Sequence, residues 1–338
     1  METSLLEKLI RAHATPGDEN EVFEILLAAW QGAGLATTRL GSRAVVADAD
    51  PDSDKPVLLI TAHADCVGFA VDRLPGFLSK KFGLTTLGSI DADELKFPLP
   101  AVLKTRGGLV AGNLKCDHVE NVECVDDDDD DDDGDDDADW FFVPSVASPG
   151  VCHGDRVAFA PKFSRRGQKI YAPFLDNRIG CWLLALIAPE ISKWDSPWRV
   201  MLAATSSEEM NGHGAAVLAH AIRPDAVIIL DTTYESKEQR VKLGGGPVLT
   251  LSDKSVLLPL AARDHLLKIF HEANLPLQTE VYNFSGTDAK AFPFAGLPGL
   301  VMPLLIPTRG NHSPRETADL RDVEVLLKGL RLIVKMPM

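Results

Sequence analysis

Residues 57–69 read VLLITAHADCVGF, and this stretch decides the predicted fold. Its first six residues form a nearly continuous apolar run, which is typical of a strand buried on both faces of a sheet. The run ends in His63 and Asp65, two titratable side chains at the point where burial should stop. Ligands of open α/β sheets bind beyond the carboxyl ends of the strands. The stretch therefore predicts a functional site at the end of a buried strand.

Similar apolar strands alternate with helical segments over most of the chain. Examples are the strand-like runs WRVMLAAT, DAVIIL and GLVMPLLIP and the helix-like run DNRIGCWLLALIAPEI. Such alternation implies a sheet covered by helices on both faces, which is a three-layer αβα domain. From residue 70 to residue 169 the segments are short and strand-like instead, as expected for a small β-barrel-like domain.

The predicted organisation is therefore one α/β domain with a second domain inserted into it. Residues 1–69 form the first part of the α/β domain, residues 70–169 the inserted β domain, and residues 170–338 the second part. The inserted segment carries the run DDDDDDDDGDDDAD at residues 126–139, which contains twelve aspartates. Because this run has no apolar residues to bury and its like charges repel, we expect a solvated, disordered loop.

Composition excludes several function classes. The net charge of −15 falls to −3 without the twelve aspartates, and no basic stripe is visible, which argues against nucleic-acid binding. No apolar run approaches the roughly 18 residues needed to span a bilayer. The start METSLLEKLIRAHA carries charges within its apolar pattern, unlike a secretory signal. We therefore expect a cytoplasmic protein that binds no membrane.

Acids and histidines follow the other predicted strands as well. They lie at or just after strand ends, or directly before a helix: His63, Asp65, Asp176, Glu208, Glu209, Asp231 and His312. Any one of them alone is more often a turn or capping residue, so the prediction depends on their recurrence. Carboxylates packed this closely stay ionised when divalent cations neutralise them. Imidazoles combined with carboxylates favour zinc, cobalt or manganese, and this many ligands fit two ions sharing one bridging carboxylate.

Six motifs then occur in the order and approximate spacing of a known family. They are HADCVGF, FLDNRIGC, SSEEMNGHGA, ILDTT, GTDAKAF and RGNHSPRE. With them, nearly the whole chain resembles the glutamyl aminopeptidase, or tetrahedral aminopeptidase, family of co-catalytic metallo-aminopeptidases. The sequence departs from the family pattern at Cys66, where a glutamate is usual, and at Asn177, where an aspartate is usual.

The resemblance implies a role for each of the seven residues. His63 and Asp231 would hold one metal ion, Glu209 and His312 the other, and Asp176 would bridge the two. Asp65 would accept the second ring proton of His63, and Glu208 would be the general base.

The resemblance also implies an activity and an assembly. The activity would be two-metal-dependent removal of the N-terminal residue from short peptides with a free N-terminus, with two zinc ions most expected per subunit. Self-association, from a dimer to a dodecamer, would use the inserted β domain. A metal-dependent amidohydrolase of N-acyl amino acids uses much the same ligands and is the alternative; a glycoside hydrolase or a non-catalytic binding module fits less well.

Overall fold

The structure is a computed structural model that describes residues 1–76, 79–93, 95–118, 138–147, 150–297 and 299–335. Most of the aspartate run, residues 126–137, lies outside this range. The chain divides into two compact units. The first consists of Met1–Cys66, Pro161–Asn311 and Arg315–Met338, and the second of Val67–Ala160 with the short segment His312–Pro314.

The helices lie in the first unit. They are α1 (Ser4–Arg11), α2 (Asn20–Gly32), α3 (Leu175–Ile191), α4 (His213–Ile222), α5 (Leu260–Glu272), α6 (Ala291–Phe294) and α7 (Leu320–Ile333), with one 3-10 turn at Asp288–Lys290.

The strands divide between a large sheet and a barrel. They are, in chain order, β1 (Ala36–Leu40), β2 (Ala44–Asp48), β3 (Val57–His63), β4 (Gly68–Arg73), β5 (Phe82–Leu87), β6 (Leu99–Thr105), β7 (Gly108–His118), β8 (Ala138–Pro144), β9 (Arg156–Phe159), β10 (Ser164–Arg166), β11 (Lys169–Ala172), β12 (Arg199–Thr205), β13 (Ala226–Tyr234), β14 (Val248–Ser252), β15 (Gln278–Val281), β16 (Leu300–Arg309) and β17 (Glu316–Asp319).

The large sheet has the strand order β1-β2-β12-β3-β13-β16-β17-β11-β10, and β14 and β15 join it through β16. The four central strands β12, β3, β13 and β16 run parallel to one another. They are the apolar runs of the sequence, and their residues are buried almost without interruption. This burial explains why the runs do not alternate between polar and apolar residues.

Helices cover the sheet on both faces. On one face, alternate residues of the central strands form one buried cluster with residues of α4 and α6, including Leu59, Met201, Val227, Ala215 and Phe292. The intervening residues, such as Leu58 and Leu202, point to the other face by strand alternation and are equally buried. α3 packs against β3, β12 and β13. The predicted three-layer α/β fold is confirmed.

The second unit is a closed antiparallel barrel with the strand order β4-β5-β8-β7-β6-β9. Aromatic side chains fill part of its interior: the ring of Phe69 lies 4.8 Å from that of Trp140 and 6.2 Å from that of Phe159. A small β-barrel, expected from the short strand-like segments, is therefore present. Residues 161–169, which the sequence assigns to this domain, belong instead to the first unit, where β10 and β11 extend the edge of the large sheet.

Among the described residues, no helix combines the length and the apolar character that crossing a bilayer requires.

Candidate active site

The site lies where the central parallel strands end. His63, the last residue of β3, pairs with Thr205, the last residue of β12. On the other side of β3, Ile229 of β13 pairs with Thr61, which brings Asp231 level with His63. Residues far apart in sequence therefore meet because their strands are parallel neighbours in register.

Three carboxylates surround the imidazole of His63. Its Nε2 lies 3.2 Å from Asp176 Oδ1 and 3.3 Å from Asp231 Oδ1, and its Nδ1 lies 3.4 Å from Asp65 Oδ1. Burial by itself lowers the pKa of His63, but the charge of Asp231 and the contacts with all three carboxylates raise that pKa well above its ordinary range. The space around Nε2 is therefore strongly favourable for positive charge.

Asp65 connects His63 to the turn that carries the two glutamates. Its Oδ1 accepts a hydrogen bond from the backbone N–H of Glu208, and its Oδ2 accepts one from that of Glu209, each at 3.1 Å. The side chain is completely buried. One carboxylate thus fixes the imidazole and two successive backbone amides at the same time.

Asp176 precedes the regular part of α3, because its backbone angles are not helical (φ −79°, ψ 105°). Its backbone N–H donates to Glu316 Oε2 at 2.8 Å. Its Oδ2 accepts hydrogen bonds from Thr232 Oγ1 at 2.9 Å and from Asn311 Nδ2 at 3.1 Å. These contacts hold the carboxylate with Oδ1 towards His63.

Asn177, one of the departures from the family pattern, joins α3 to β13. Its Nδ2 donates to the carbonyl of Leu230 at 2.8 Å, and its Oδ1 accepts from the N–H of Gly180 at 2.9 Å. An amide can make both bonds, whereas an ionised aspartate has no donor for the carbonyl of Leu230. Gly180 permits this close packing, because a Cβ there would lie 2.8 Å from the Cβ of Ala62 in β3.

The predicted ligands fall into two groups of atoms that could each hold a metal ion. The first is His63, Asp176 and Asp231; the second is Asp176, Glu209 and His312. Within each group the candidate ligand atoms lie within 4.8 Å of one another. Asp176 belongs to both groups, which is the arrangement that a bridging carboxylate would give.

The carboxylates of the site are in an environment that disfavours their charge. Although Glu208 and Glu209 keep some exposed surface, burial raises the pKa of each well above its ordinary range. Asp231 and Asp288 add to the raised pKa of Glu208, and His63 opposes it. Burial likewise raises the pKa of Asp231. Divalent cations would relieve this accumulation of negative charge, so the donor set fits two of them.

Several residues of the site were not singled out from the sequence. They support the predicted ones and are Glu19, Thr232, Asp288, Asn311 and Glu316. Asp288 is buried and accepts a hydrogen bond from Thr205 Oγ1 at the end of β12. Thr232, Asp288, Asn311 and Glu316 lie within the quoted motifs, and Glu19 lies in the opening run LLEKLIRAHATPGDENEV, which also resembles the family. That resemblance was the available signal for all five residues.

Comparison with known proteins agrees with this geometry. The family profile described as M42 glutamyl aminopeptidase matches residues 44–328. The chain belongs to this family. It is accordingly a peptide hydrolase, as the resemblance implied.

Individual members of the M42 family and related structures show how far the likeness extends. FrvX of Escherichia coli (strain K12), which carries the name of an aminopeptidase, is 27% identical over 353 residues, covering 98% of this chain and 94% of that protein. A relative from Acetivibrio thermocellus with a similar name is 31% identical over 182 residues, so that this chain spans only 54% of its length. The structure of the TET1 peptidase of Pyrococcus horikoshii, which can assemble into a tetrahedron or a large octahedral shell, matches with a TM-score of 0.82 at 21% identity, covering 98% of this chain and 99% of that one. The last comparison supports the fold.

Proposed function

We propose that this M42 family member is a two-metal-dependent aminopeptidase that removes the N-terminal residue from short peptides. The observation that carries the proposal is the position of Asp176 in both groups of candidate ligand atoms. A single-ion hydrolase would not need the second group of Glu209 and His312.

His63 and Asp231 would hold one ion, Glu209 and His312 the other, and Asp176 would contact both. When bound, the two ions lower the pKa of a water molecule and polarise the carbonyl group of the substrate. Zinc is the ion we expect, with cobalt or manganese as substitutes, because imidazole nitrogens and carboxylate oxygens together suit these metals.

The chain itself would supply the proton transfer. Glu208 belongs to neither group of candidate ligand atoms and stands next to Glu209, and a glutamate can take a proton and later return it. In the proposed reaction Glu208 accepts a proton from the attacking water and donates it to the leaving amine. Asp65 keeps Glu208 in place through its backbone N–H and keeps the ring of His63 oriented.

The test is metal analysis of the purified protein combined with a panel of matched peptides. We expect about two divalent ions per chain, the stoichiometry of a co-catalytic site. Peptides with a free N-terminus should be cleaved one residue at a time, whereas their N-acetylated counterparts should not. Preferential hydrolysis of N-acyl amino acids would instead establish the alternative amidohydrolase, and a single tightly bound ion would contradict the two-metal proposal.

Self-association is the second part of the proposed function. The TET1 peptidase of Pyrococcus horikoshii can assemble into a tetrahedron or a large octahedral shell. We propose that this chain also forms a homo-oligomer, with its β-barrel unit taking part. Light scattering coupled to size-exclusion chromatography should give a mass well above the 36.6 kDa of one chain. A protein that stays monomeric at micromolar concentration would contradict this prediction.

A further inference from the structure

Glu19 has a buried carboxylate that takes no part in the reaction proposed above. It lies directly before α2, and its side chain is 2% exposed. Its Oε1 accepts hydrogen bonds from the N–H of Ser207 at 3.1 Å and from the N–H of Gly17 at 2.5 Å. The hydroxyl of Ser207 lies 3.5 Å from the same oxygen. A residue of the N-terminal segment therefore contacts the turn after β12.

This contact is part of a pattern along the turn. The three successive backbone N–H groups of Ser207, Glu208 and Glu209 all donate to buried carboxylates; Glu19 accepts the first and Asp65 the other two. Ser207 has φ 60°, a left-handed conformation that is unfavourable for a residue with a Cβ. Side chains outside the turn therefore hold it in a conformation that it would not adopt by itself.

A carboxylate in this position is costly. Burial, and after it the charge of Asp65, raise the pKa of Glu19 to about 7. Buried polar groups persist where their hydrogen bonds offset the loss of hydration. One atom of Glu19, Oε1, makes all of the contacts described. What the turn requires from Glu19 is therefore an oxygen that accepts hydrogen bonds at the position of Oε1.

The segment that presents this carboxylate is itself bound to the end of β3. The backbone N–H of Cys66 donates to the carbonyl of Ala14 at 3.0 Å. Arg178 is completely buried, and its guanidinium donates to the carbonyl of Leu9 at 3.1 Å and also to that of Ala64. Hydrogen bonds thus connect the N-terminal segment both to the end of β3 and to the turn after β12.

We propose that Glu19 is a positioning residue that fixes the turn of Ser207, Glu208 and Glu209, so that both glutamates are aligned for peptide hydrolysis. The inference rests on the roles proposed above for Glu208 and Glu209. A displacement of about 1 Å in a catalytic group can lower the rate by about 10²-fold. Loss of the Glu19 contact should therefore act on turnover while the substrate contacts remain.

The test compares three variants of Glu19 with a surface control. In Glu19→Ala and Glu19→Asp the acceptor is missing or too short, and we expect kcat to fall by about 10- to 10²-fold while KM changes by less than about 3-fold. In Glu19→Gln an amide oxygen can accept the same hydrogen bonds, so kcat should stay within about 3-fold of wild type. Glu24→Ala, which removes a surface partner of Arg39, should leave kcat and KM unchanged.

Hydrogen exchange of a peptide covering residues 204–211 provides a second measurement that does not depend on activity. Exchange should be faster in Glu19→Ala and Glu19→Asp and unchanged in Glu19→Gln. Should Glu19→Ala not fold, the comparison of the Asp and Gln variants decides the question. Wild-type kcat in Glu19→Asp, or equal loss in the Asp and Gln variants, would overturn the inference. Full activity of Glu208→Gln and Glu209→Gln would instead overturn the proposed function.

Discussion

Glu208→Gln is expected to lower kcat by about 10²- to 10⁴-fold, the usual contribution of a positioned general base. Glutamine preserves the size of the side chain but cannot accept a proton at neutral pH. The backbone N–H of residue 208 still donates to Asp65, so the turn should keep its conformation. Bound metal should remain near the wild-type amount, because Glu208 belongs to neither group of candidate ligand atoms.

The measurement is steady-state kinetics on a short free-amine peptide together with elemental analysis of the same sample. Glu24→Gln is the matched control for an exposed glutamate and should behave as wild type. A large loss of metal in Glu208→Gln would mean that Glu208 is a ligand. Undiminished kcat would mean that another group accepts the proton.

Glu209→Gln should also inactivate the enzyme, but for a different reason. An amide is a weaker ligand than a carboxylate, so the ion shared by Asp176, Glu209 and His312 should dissociate more readily. Because occupancy follows mass action, activity should recover in part when the metal concentration is raised. Glu208→Gln should not recover under the same conditions.

Metal titrations of both variants, monitored by activity and by bound metal, distinguish the two adjacent glutamates. The roles would have to be exchanged if added metal restored Glu208→Gln while Glu209→Gln was fully loaded and inactive. If Glu209→Gln had wild-type activity at trace concentrations of metal, the proposal of a second metal ion would be wrong.

The sequence predicts those parts of the molecule that depend on local pattern. Continuous apolar runs mark the central strands, and His63 and Asp231 follow two of these runs. They lie together because β3 and β13 are parallel neighbours in register, although β13 continues past Asp231 to Tyr234. The barrel is predicted by its short strand-like segments. The C-terminal boundary of the barrel is less well predicted. The reason is that β10 and β11, at the edge of the large sheet, are as short as strands of the barrel.

What the sequence does not reveal is which distant side chains meet. The contact of Glu19 with Ser207 joins residues that are 188 positions apart, and Asn311 contacts Asp176 across 135 positions. No periodicity records such pairs, because each consists of single polar residues whose partners are determined by packing. The run TPGDEN around Glu19 predicts a break between two helices, and its resemblance to the family does not say which residue Glu19 contacts.

The strand order also has a consequence for biosynthesis. Among the described strands, the neighbours of β3 in the sheet are β12 and β13, and both are translated long after it, with the whole barrel in between. A nascent chain thus cannot pair β3 until much of its second half has left the ribosome, and such non-local pairing is slow. Until then the run VLLITA is an apolar strand with two open edges, which invites aggregation. The yield of recombinant protein should therefore depend on the amount of chaperone available between the synthesis of β3 and the synthesis of β12 and β13.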